Sequence, residues 1–157
     1  MSQTKTTRYL IPLLLIVILV TAAGLRLYNI NWDSGIFAHP DERSTVVYYA
    51  PTIRWPDDSA NFLDPRLSPL NPFWDIGNQS PRSYTYGHFP LYTLVLISHA
   101  LTHLVPLATS LGLPFDWIQF MSKATSPEGY AQVGRTLVAL ADVFTVYLLF
   151  LLGRRLY

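Results

Sequence analysis

The sequence of 157 residues contains no cysteine. This absence excludes disulfide bonds, thiolate catalysis and cysteine-ligated metal sites. Charged residues are also scarce, since Asp, Glu, Lys and Arg together form only 13% of the chain. Lys and Arg lie mostly at the edges of apolar blocks, not in one basic patch, which argues against binding to nucleic acid. Apolar residues are abundant. Of all residues, 50% are hydrophobic, and the mean hydropathy is +0.25, which argues against a soluble domain.

The first apolar block covers residues 9–25 and ends at Arg26. With its flanks it has the length that a helix needs to cross a hydrocarbon core of about 30 Å. Lys5 and Arg8 precede the block and no acid does, so the positive-inside rule places the amino terminus in the cytoplasm. A cleaved signal peptide is the alternative, because the small residues at 21–24 resemble a cleavage site. The length of the run favours a membrane anchor.

A second apolar block covers residues 136–152, with Arg135 before it and Arg154 and Arg155 after it. A shorter apolar stretch, 91–107, lies between the two blocks. If this stretch crossed the membrane, the last block would run outward and leave the two terminal arginines outside, against the positive-inside rule. If it lies in the interface, both arginines are cytoplasmic.

The pattern of polar residues in the stretch 91–107 favours the interfacial position. Four polar residues fall at i, i+1, i+4 and i+5, which places them on one stripe of a helix: Ser98, His99, Thr102 and His103. The two histidines have a spacing that suits a metal ion, but no acidic third ligand is adjacent, so a polar helix face is the preferred interpretation. A short helix with such a stripe is typical of an interfacial or re-entrant element.

We therefore predict an all-α polytopic membrane protein with two spans and an extracytoplasmic segment that contains juxtamembrane helices at about 40–50 and 91–107. The predicted parts are a cytoplasmic amino terminus (1–8), a transmembrane helix (9–27), the extracytoplasmic segment (28–134), a second transmembrane helix (135–153) and a cytoplasmic end (154–157). Asp142 lies within the second span, where ionisable groups normally find partners, and we expect it to pack against further helices.

The central part of the extracytoplasmic segment, 51–90, is rich in Pro, Asn, Asp and Ser. These residues are typical of turns and loops. Aromatic residues are interleaved with them throughout, and aromatic residues are rare in disordered segments. The composition therefore predicts a loop that packs on the membrane surface or over a site.

A carboxylate pair, Asp41 and Glu42, lies about a dozen residues beyond the first predicted span, after His39 and Pro40. A proline at the first helical position followed by acids is ordinary helix-start chemistry, which explains the pair without any catalytic role. The functional interpretation comes from its position, beside the interface where a lipid-linked substrate would present its headgroup. Apolar surroundings there would raise the pKa of a carboxyl group, which suits a general base.

The motif Trp-Asp-Ser-Gly at 32–35, followed by His-Pro-Asp-Glu at 39–42 just after a first span, resembles the multispan C-type glycosyltransferases. This group includes protein O-mannosyltransferases, aminoarabinose transferases and the mannosyltransferases of lipid-anchor assembly. Residues 86–92 look like the start of the juxtamembrane helix of that family, and residues 134–156 look like its second span. The stretch 68–92 is similar to an uncharacterised bacterial and archaeal branch.

The resemblance implies a membrane-bound hexosyl or pentosyl transferase with the amino-terminal part of the C-type fold. Such enzymes transfer a sugar from a polyprenyl-phosphate donor to an extracytoplasmic acceptor, with inversion at the anomeric carbon. They have far more than two spans, so we expect this chain to be a fragment that depends on further carboxy-terminal spans of the same protein. The partners that the resemblance implies are the lipid-linked donor and membrane lipids.

The resemblance also assigns roles to the carboxylate pair. Asp41 would be the catalytic base that takes the proton of the acceptor hydroxyl. Glu42 would orient Asp41 or help to hold a divalent cation, which is the one cofactor that the resemblance leaves open. The residues themselves indicate no metal site.

The substrate-binding residues that the resemblance suggests are basic or phenolic. His88, with Arg82 and Tyr86 nearby, lies where relatives have a basic residue before the juxtamembrane helix and would contact the leaving phosphate. The charge of a histidine depends on pH, in contrast to that of a lysine. Arg135 would either serve the phosphate too or lie at the interface as a snorkelling residue. The alternative function is a non-catalytic membrane protein whose external segment binds a partner or aids assembly.

Overall fold

The computed structural model of the chain describes residues 5–156, and the side chains of 9–156. The described chain is mostly helical, at 64%, with almost no strand. It divides into two compact units, one from the described parts of 1–32 and 135–157 and one from Asp33–Gly134. The α-helices are α1 (Lys5–Leu27), α2 (Pro40–Arg43), α3 (His88–His103), α4 (Val105–Ser110), α5 (Phe115–Ser122) and α6 (Pro127–Leu156).

Two of these helices are long and apolar enough to span a membrane. They are the part of α1 from Tyr9 to Leu27, with 19 residues, and α6, with 30. Only 6% of the most apolar window of each is buried, so neither is a core helix of the fold as described. With 16 residues, α3 is shorter than a bilayer-spanning helix requires.

The first unit joins the end of α1 to α6 through polar contacts. The Arg26 guanidinium forms an ion pair with the Asp142 carboxylate, and Arg135 donates to the carbonyl oxygen of Ile30 at 2.8 Å. Since residue 26 meets 142 while residue 30 meets 135, the two chain segments run antiparallel. The partner of Asp142 is thus a cation on α1, whereas the sequence analysis expected packing against further helices.

The core of the second unit is built around one face of α3. Leu91, Leu94, Val95 and Ser98 are buried, at the i, i+3, i+4, i+7 spacing of a helix face. This helix packs against α5 and against a short 3₁₀ turn, Ala50–Thr52, while α4 packs on α5. Further buried side chains come from the segments on either side of α3: Val46, Ala50, Ile53, Met121, Ala124 and Tyr130.

Only part of the predicted polar stripe of α3 faces water. Ser98 is fully buried, and the Thr102 hydroxyl donates to the carbonyl oxygens of Ser98 at 3.1 Å and Met121 at 3.4 Å. Ser98 and Thr102 therefore face inward, whereas His103 is exposed and His99 is half-buried. The expected single helix at 91–107 is also two helices, since Pro106 lacks the N–H that would bond to the preceding turn and lies instead in the first turn of α4.

The start of α6 depends on a glycine. Ser126 caps the helix, because its hydroxyl oxygen accepts from the backbone N–H of Gly129 at 3.1 Å. A Cβ atom at Gly129 would lie 2.0 Å from the carbonyl oxygen of Lys123, so no other residue fits without a shift of the backbone. This cap starts the helix at Pro127, before the predicted span at 135–153.

Between the 3₁₀ turn and α3 the chain forms loops and one small ribbon. Strands β1 (Trp74–Asp75) and β2 (Ser80–Pro81) pair antiparallel, with Trp74 opposite Pro81. The Asp75 carboxylate closes the turn between them by accepting from the N–H groups of Gly77 at 3.0 Å and Asn78 at 3.1 Å. The short strands agree with the turn-rich composition of this stretch.

Candidate functional site

The carboxylate pair is preceded by a tight loop that is organised by Asp33. This side chain is buried and accepts from the N–H groups of Gly35 at 3.3 Å and Ala38 at 3.4 Å. Within the loop Ser34, Gly35 and Phe37 all have positive φ, at 50°, 82° and 52°. A positive φ is uncommon for a bulky residue such as Phe37. The loop therefore carries backbone strain directly before the motif at 39–42.

The carboxylate pair itself lies in the first turn of α2. The His39 Nδ1 atom accepts from the N–H of Asp41 at 3.3 Å, which makes His39 the N-cap, and Pro40 takes the first helical position. The structure thus contains the helix-start chemistry that explains the pair without catalysis. Asp41 is exposed, so the apolar surroundings that the sequence analysis expected for it are not observed among the described residues.

Helix α2 continues into a π-helical segment, Ser44–Tyr49. The N–H of Ala50 bonds to the carbonyl oxygen of Thr45, and the Thr45 hydroxyl donates to the carbonyl oxygen of Asp41 at 3.0 Å. At the end of the segment the Tyr49 hydroxyl donates to the carbonyl oxygen of Ser83 at 2.9 Å. Short π-helical segments occur frequently at functional sites.

The structure brings two predicted site residues, Asp41 and Tyr86, together. Hydrogen bonding to the Asp41 carboxylate raises the pKa of the Tyr86 phenol, because a neighbouring negative charge disfavours the phenolate. Tyr86 is therefore a neutral hydroxyl donor beside Asp41 at physiological pH. Glu42 is partly buried in the same helical turn and also has a partner in the structure.

Tyr86 belongs to a cluster of six rings, which we call the ring cluster. Its members are Tyr49, Phe73, Tyr84, Tyr86, His88 and Tyr92. The distances between ring centroids are 4.6 Å for Tyr49–Tyr84, 5.8 Å for Tyr84–Tyr86, 6.0 Å for Phe73–Tyr84, 4.8 Å for Phe73–His88 and 5.7 Å for His88–Tyr92. Such contacts between tilted and edge-on rings are favourable beyond the area that they bury. The cluster connects Asp41, through Tyr86, to His88.

Tyr84 lies at the centre of the ring cluster and is buried. Burial raises its pKa, and the neighbouring phenols of Tyr49, Tyr86 and Tyr92 add to the shift. Burial also raises the pKa of Tyr92, whose hydroxyl donates to the carbonyl oxygen of Leu70 at 2.6 Å. These phenols therefore act as hydrogen-bond donors at neutral pH.

Arg82 is held by partners outside the ring cluster. Its guanidinium lies 3.3 Å from the Asp75 carboxylate and donates to the Thr52 hydroxyl at 2.9 Å. Hydrogen bonds from Asn78 and the Arg82 guanidinium lower the pKa of Asp75. The predicted contact of Arg82 with the leaving phosphate stays a prediction, and the residue has an ion-pair partner that the sequence did not indicate.

Arg135 lies in the first unit. Besides the bond to Ile30, its guanidinium is 5.3 Å from the centre of the Trp32 ring, a distance typical of a cation–π contact. Its two predicted roles, at the phosphate and at the interface, both stay predictions. Among the described residues no group of three or more His, Asp or Glu side chains could hold a metal ion. The predicted role of Glu42 in holding a divalent cation stays a prediction.

Two cavities occur in the second unit, and neither is lined by Asp41, Glu42 or His88. One, of about 740 Å³, has among its lining residues Trp55, Asp57, Asp58, Phe62 and Leu63. The other, of about 260 Å³, lies beside the ribbon and has among its lining residues Thr52, Arg54, Asn71, Trp74, Asp75 and Arg82. Asp41 is exposed and Glu42 is half-buried.

The sequence analysis missed three residues that build the site. Asp33 was noticed only as part of a motif, although an Asp two residues before a Gly is a signal for the turn that it organises. Tyr49 and Tyr84 carried no local signal, because their roles depend on contacts between distant segments.

Comparison of the chain with protein-family models, with curated proteins and with solved structures gives no match. The resemblance to C-type glycosyltransferases therefore depends on the quoted motifs alone.

Proposed function

We propose that this chain carries the acceptor-activating part of a membrane glycosyltransferase. The enzyme would transfer a sugar from a polyprenyl-phosphate donor to an acceptor on the extracytoplasmic side, with inversion. The observation that carries the proposal is the contact between Asp41 and Tyr86, which the ring cluster extends to His88. Three residues that the resemblance selects, one near position 41 and two near position 87, belong to one connected group.

In the proposed reaction Asp41 takes the proton of the acceptor hydroxyl. The acceptor oxygen forms a bond to the anomeric carbon, while the bond from that carbon to the phosphate oxygen breaks and polyprenyl phosphate leaves. A hydroxyl is a poor nucleophile, and a positioned base typically contributes about 10²–10⁴-fold to the rate. An exposed carboxylate at the start of a helix is accessible to such an acceptor.

Tyr86 and His88 have supporting roles in this proposal. Tyr86 is a positioning residue, since its phenol lies beside the carboxylate that must face the acceptor. His88 is exposed and carries ring nitrogens that donate to the leaving phosphate when the imidazole is protonated.

A membrane location is part of the same proposal. The two apolar helices provide the spans, and the antiparallel contact of α1 with α6 would leave Lys5, Arg8, Arg154 and Arg155 on one side. The positive-inside rule makes that side the cytoplasm. The segment with the carboxylate pair would then lie outside, where lipid-linked sugars are used.

The second candidate, a non-catalytic module that binds a partner, is favoured by one observation. Asp41 is exposed and neither of the two cavities lies beside it, whereas small-molecule sites are usually concave. A surface of exposed carboxylates and rings suits recognition of another macromolecule.

The deciding experiment uses membranes that contain the product of the complete reading frame and a radiolabelled polyprenyl-phosphate sugar. We expect Asp41→Asn to reduce transfer at least about a hundredfold, because it removes the base and keeps the shape. The matched control is Asp116→Asn, since Asp116 is also an exposed acid in the first turn of a helix, α5. Unchanged transfer in Asp41→Asn, or an equal loss in Asp116→Asn, would contradict the proposal.

A further inference from the structure

A polar cleft lies between the 3₁₀ turn region and the β1–β2 ribbon, away from the ring cluster. We call it the ribbon cleft, and it is the cavity of about 260 Å³ described above. A water molecule occupies roughly 30 Å³ of liquid, so the cleft has room for a small organic molecule. All its lining residues belong to the second unit.

The charges on the walls of the ribbon cleft are predominantly positive. Arg54 and Arg82 both line it, and Asp75 is the one acid that does. Asp75 is already engaged by Asn78 at 3.0 Å and by Arg82 at 3.3 Å. Arg54 is exposed and makes no ion pair among the described residues. The cleft therefore keeps one positive charge that Asp75 does not balance.

Trp74 is a further residue that lines the cleft. One face of its ring is occupied by Arg66, whose guanidinium carbon is 5.3 Å from the ring centre. The Trp74 ring therefore provides a fluorophore on the wall of the cleft.

The amide of Asn71 narrows the choice of ligand. Its Nδ2 atom donates to the carbonyl oxygen of Pro65 at 2.6 Å and its Oδ1 atom accepts from the N–H of Phe73 at 3.0 Å. Asn71 is therefore structural. The donors that remain for a ligand are those of Arg54 and Arg82, which suit an anion better than a neutral sugar, since a sugar also needs acceptors.

We propose that the ribbon cleft binds the oxyanion, phosphate or carboxylate, of a small water-soluble molecule. Arg54 and Arg82 balance the charge of the ligand and donate hydrogen bonds to its oxygens. A soluble ligand is favoured over a lipid phosphate because the walls are mostly polar. The site does not depend on the proposed glycosyl transfer, since Asp41 is not part of it.

The test uses Trp74 as its own reporter. The full chain in detergent micelles carries Trp32→Phe, Trp55→Phe and Trp117→Phe, which leaves Trp74 as the single tryptophan. It is excited at a wavelength that the tyrosines do not absorb. Inorganic phosphate and acetate are titrated separately at constant ionic strength. We expect a saturable change in fluorescence with at least one of them. Arg54→Gln should weaken the apparent affinity about tenfold, because it removes a charged hydrogen-bond donor.

The controls separate binding from folding. Arg66→Gln changes the environment of the Trp74 ring but not the lining of the cleft, so it should alter the starting fluorescence and leave the apparent affinity unchanged. Arg82→Gln should weaken binding as well, although it also breaks the pair with Asp75. The exposed Arg54 therefore decides the outcome, since its replacement leaves the fold intact. Equal affinity in Arg54→Gln and the parent would overturn the proposal.

Two further arms identify the class of ligand. D-glucose at the same concentrations should leave the fluorescence unchanged, and an equal response to glucose would overturn the selection of an anion. Phosphatidylcholine vesicles with and without phosphatidic acid supply a phosphate on a lipid. A response to the acidic vesicles without any response to phosphate or acetate would overturn the assignment to a soluble ligand.

Discussion

The two units of this chain are stabilised in different ways. In the first, α1 and α6 expose most of their apolar side chains, and the contacts between them include one ion pair and one guanidinium–carbonyl bond. In the second, a face of α3 is buried and the loops are closed by side-chain hydrogen bonds and ring contacts. The first unit needs an apolar medium to cover its surface, whereas the second provides its own core.

This difference indicates which kind of substitution should lower stability in each unit. In the first unit an apolar replacement on the helix surface changes little, while an unpaired charge is expensive once the helix is in lipid. In the second unit shape matters most, because close-packed interiors respond to a single added carbon atom. Four substitutions test this contrast.

The largest effect is expected for Arg26→Leu, which leaves Asp142 without its cation. In a bilayer the unpaired carboxylate should cost about 2–3 kcal/mol of membrane insertion. The double variant Arg26→Leu/Asp142→Leu should recover it. In water an exposed pair contributes at most about 1 kcal/mol. The measurement is the membrane-inserted fraction after alkaline extraction, and equal insertion of the single and double variants would contradict a role of the pair in lipid.

Next in size is Gly129→Ala in the second unit. The new methyl group collides with the carbonyl oxygen of Lys123, and we expect a loss of about 1–3 kcal/mol in the free energy of unfolding. Gly24→Ala in α1 is the control, since a Cβ atom there meets nothing within 4 Å. Thermal unfolding in micelles measures both. If the two variants unfold at the same temperature, the close approach at Gly129 is not structural.

A smaller effect is expected for Tyr49→Phe. This change removes the hydrogen bond to the carbonyl oxygen of Ser83 and keeps the ring contact with Tyr84, so it should cost about 0.5–1.5 kcal/mol. Tyr48→Phe is the matched control, because the neighbouring Tyr48 is exposed. Urea unfolding of the second unit, followed by near-UV circular dichroism, should distinguish the two variants. Identical unfolding midpoints would contradict the prediction.

The smallest effect concerns pH. The pKa of Asp75 is lowered in the folded chain, so its contribution to stability is present above the ordinary value of 3.8 and is lost as the pH falls through the folded pKa. Asp75→Asn should therefore lower stability at neutral pH and flatten the acid branch below that value. Acid titration of wild type and variant, followed by circular dichroism, gives the comparison. Parallel acid branches would show that Asp75 does not contribute.

The helical character and the two apolar helices were predictable because composition over a long window determines them. The break between α3 and α4 was signalled by Pro106, yet the buried side of α3 was not. Thr102 faces inward because α5 supplies a carbonyl oxygen, Met121 O, and a contact of this kind is not visible in periodicity. The Ser98 hydroxyl is buried without a hydrogen-bond partner among the described residues. The short helix α5 itself had no distinctive pattern.

In the candidate site, the local secondary structure could be predicted from the sequence, whereas the contacts between distant segments could not. The proline and acids of the motif at 39–42 indicated the helix start that the structure has. Asp41 is exposed within the protein, so the apolar surroundings inferred from its place beside a predicted span stay a prediction. Distance along the chain does not reveal which loop covers a residue. The link from Asp41 through Tyr86 to the ring cluster depends on the course of the loop between the ribbon and α3.

The π-helical segment Ser44–Tyr49 has a geometric consequence for the site. A π turn takes one residue more than an α turn, so residues five apart, and not four, return to the same side. The longer turn changes the direction in which later side chains point. Asp41 and Tyr49 lie at opposite ends of one helical run, and both contact the same short stretch of chain. Asp41 contacts it at Tyr86 and Tyr49 at Ser83. A single-residue deletion within the segment would rotate one end relative to the other, and only one of the two contacts could then be kept.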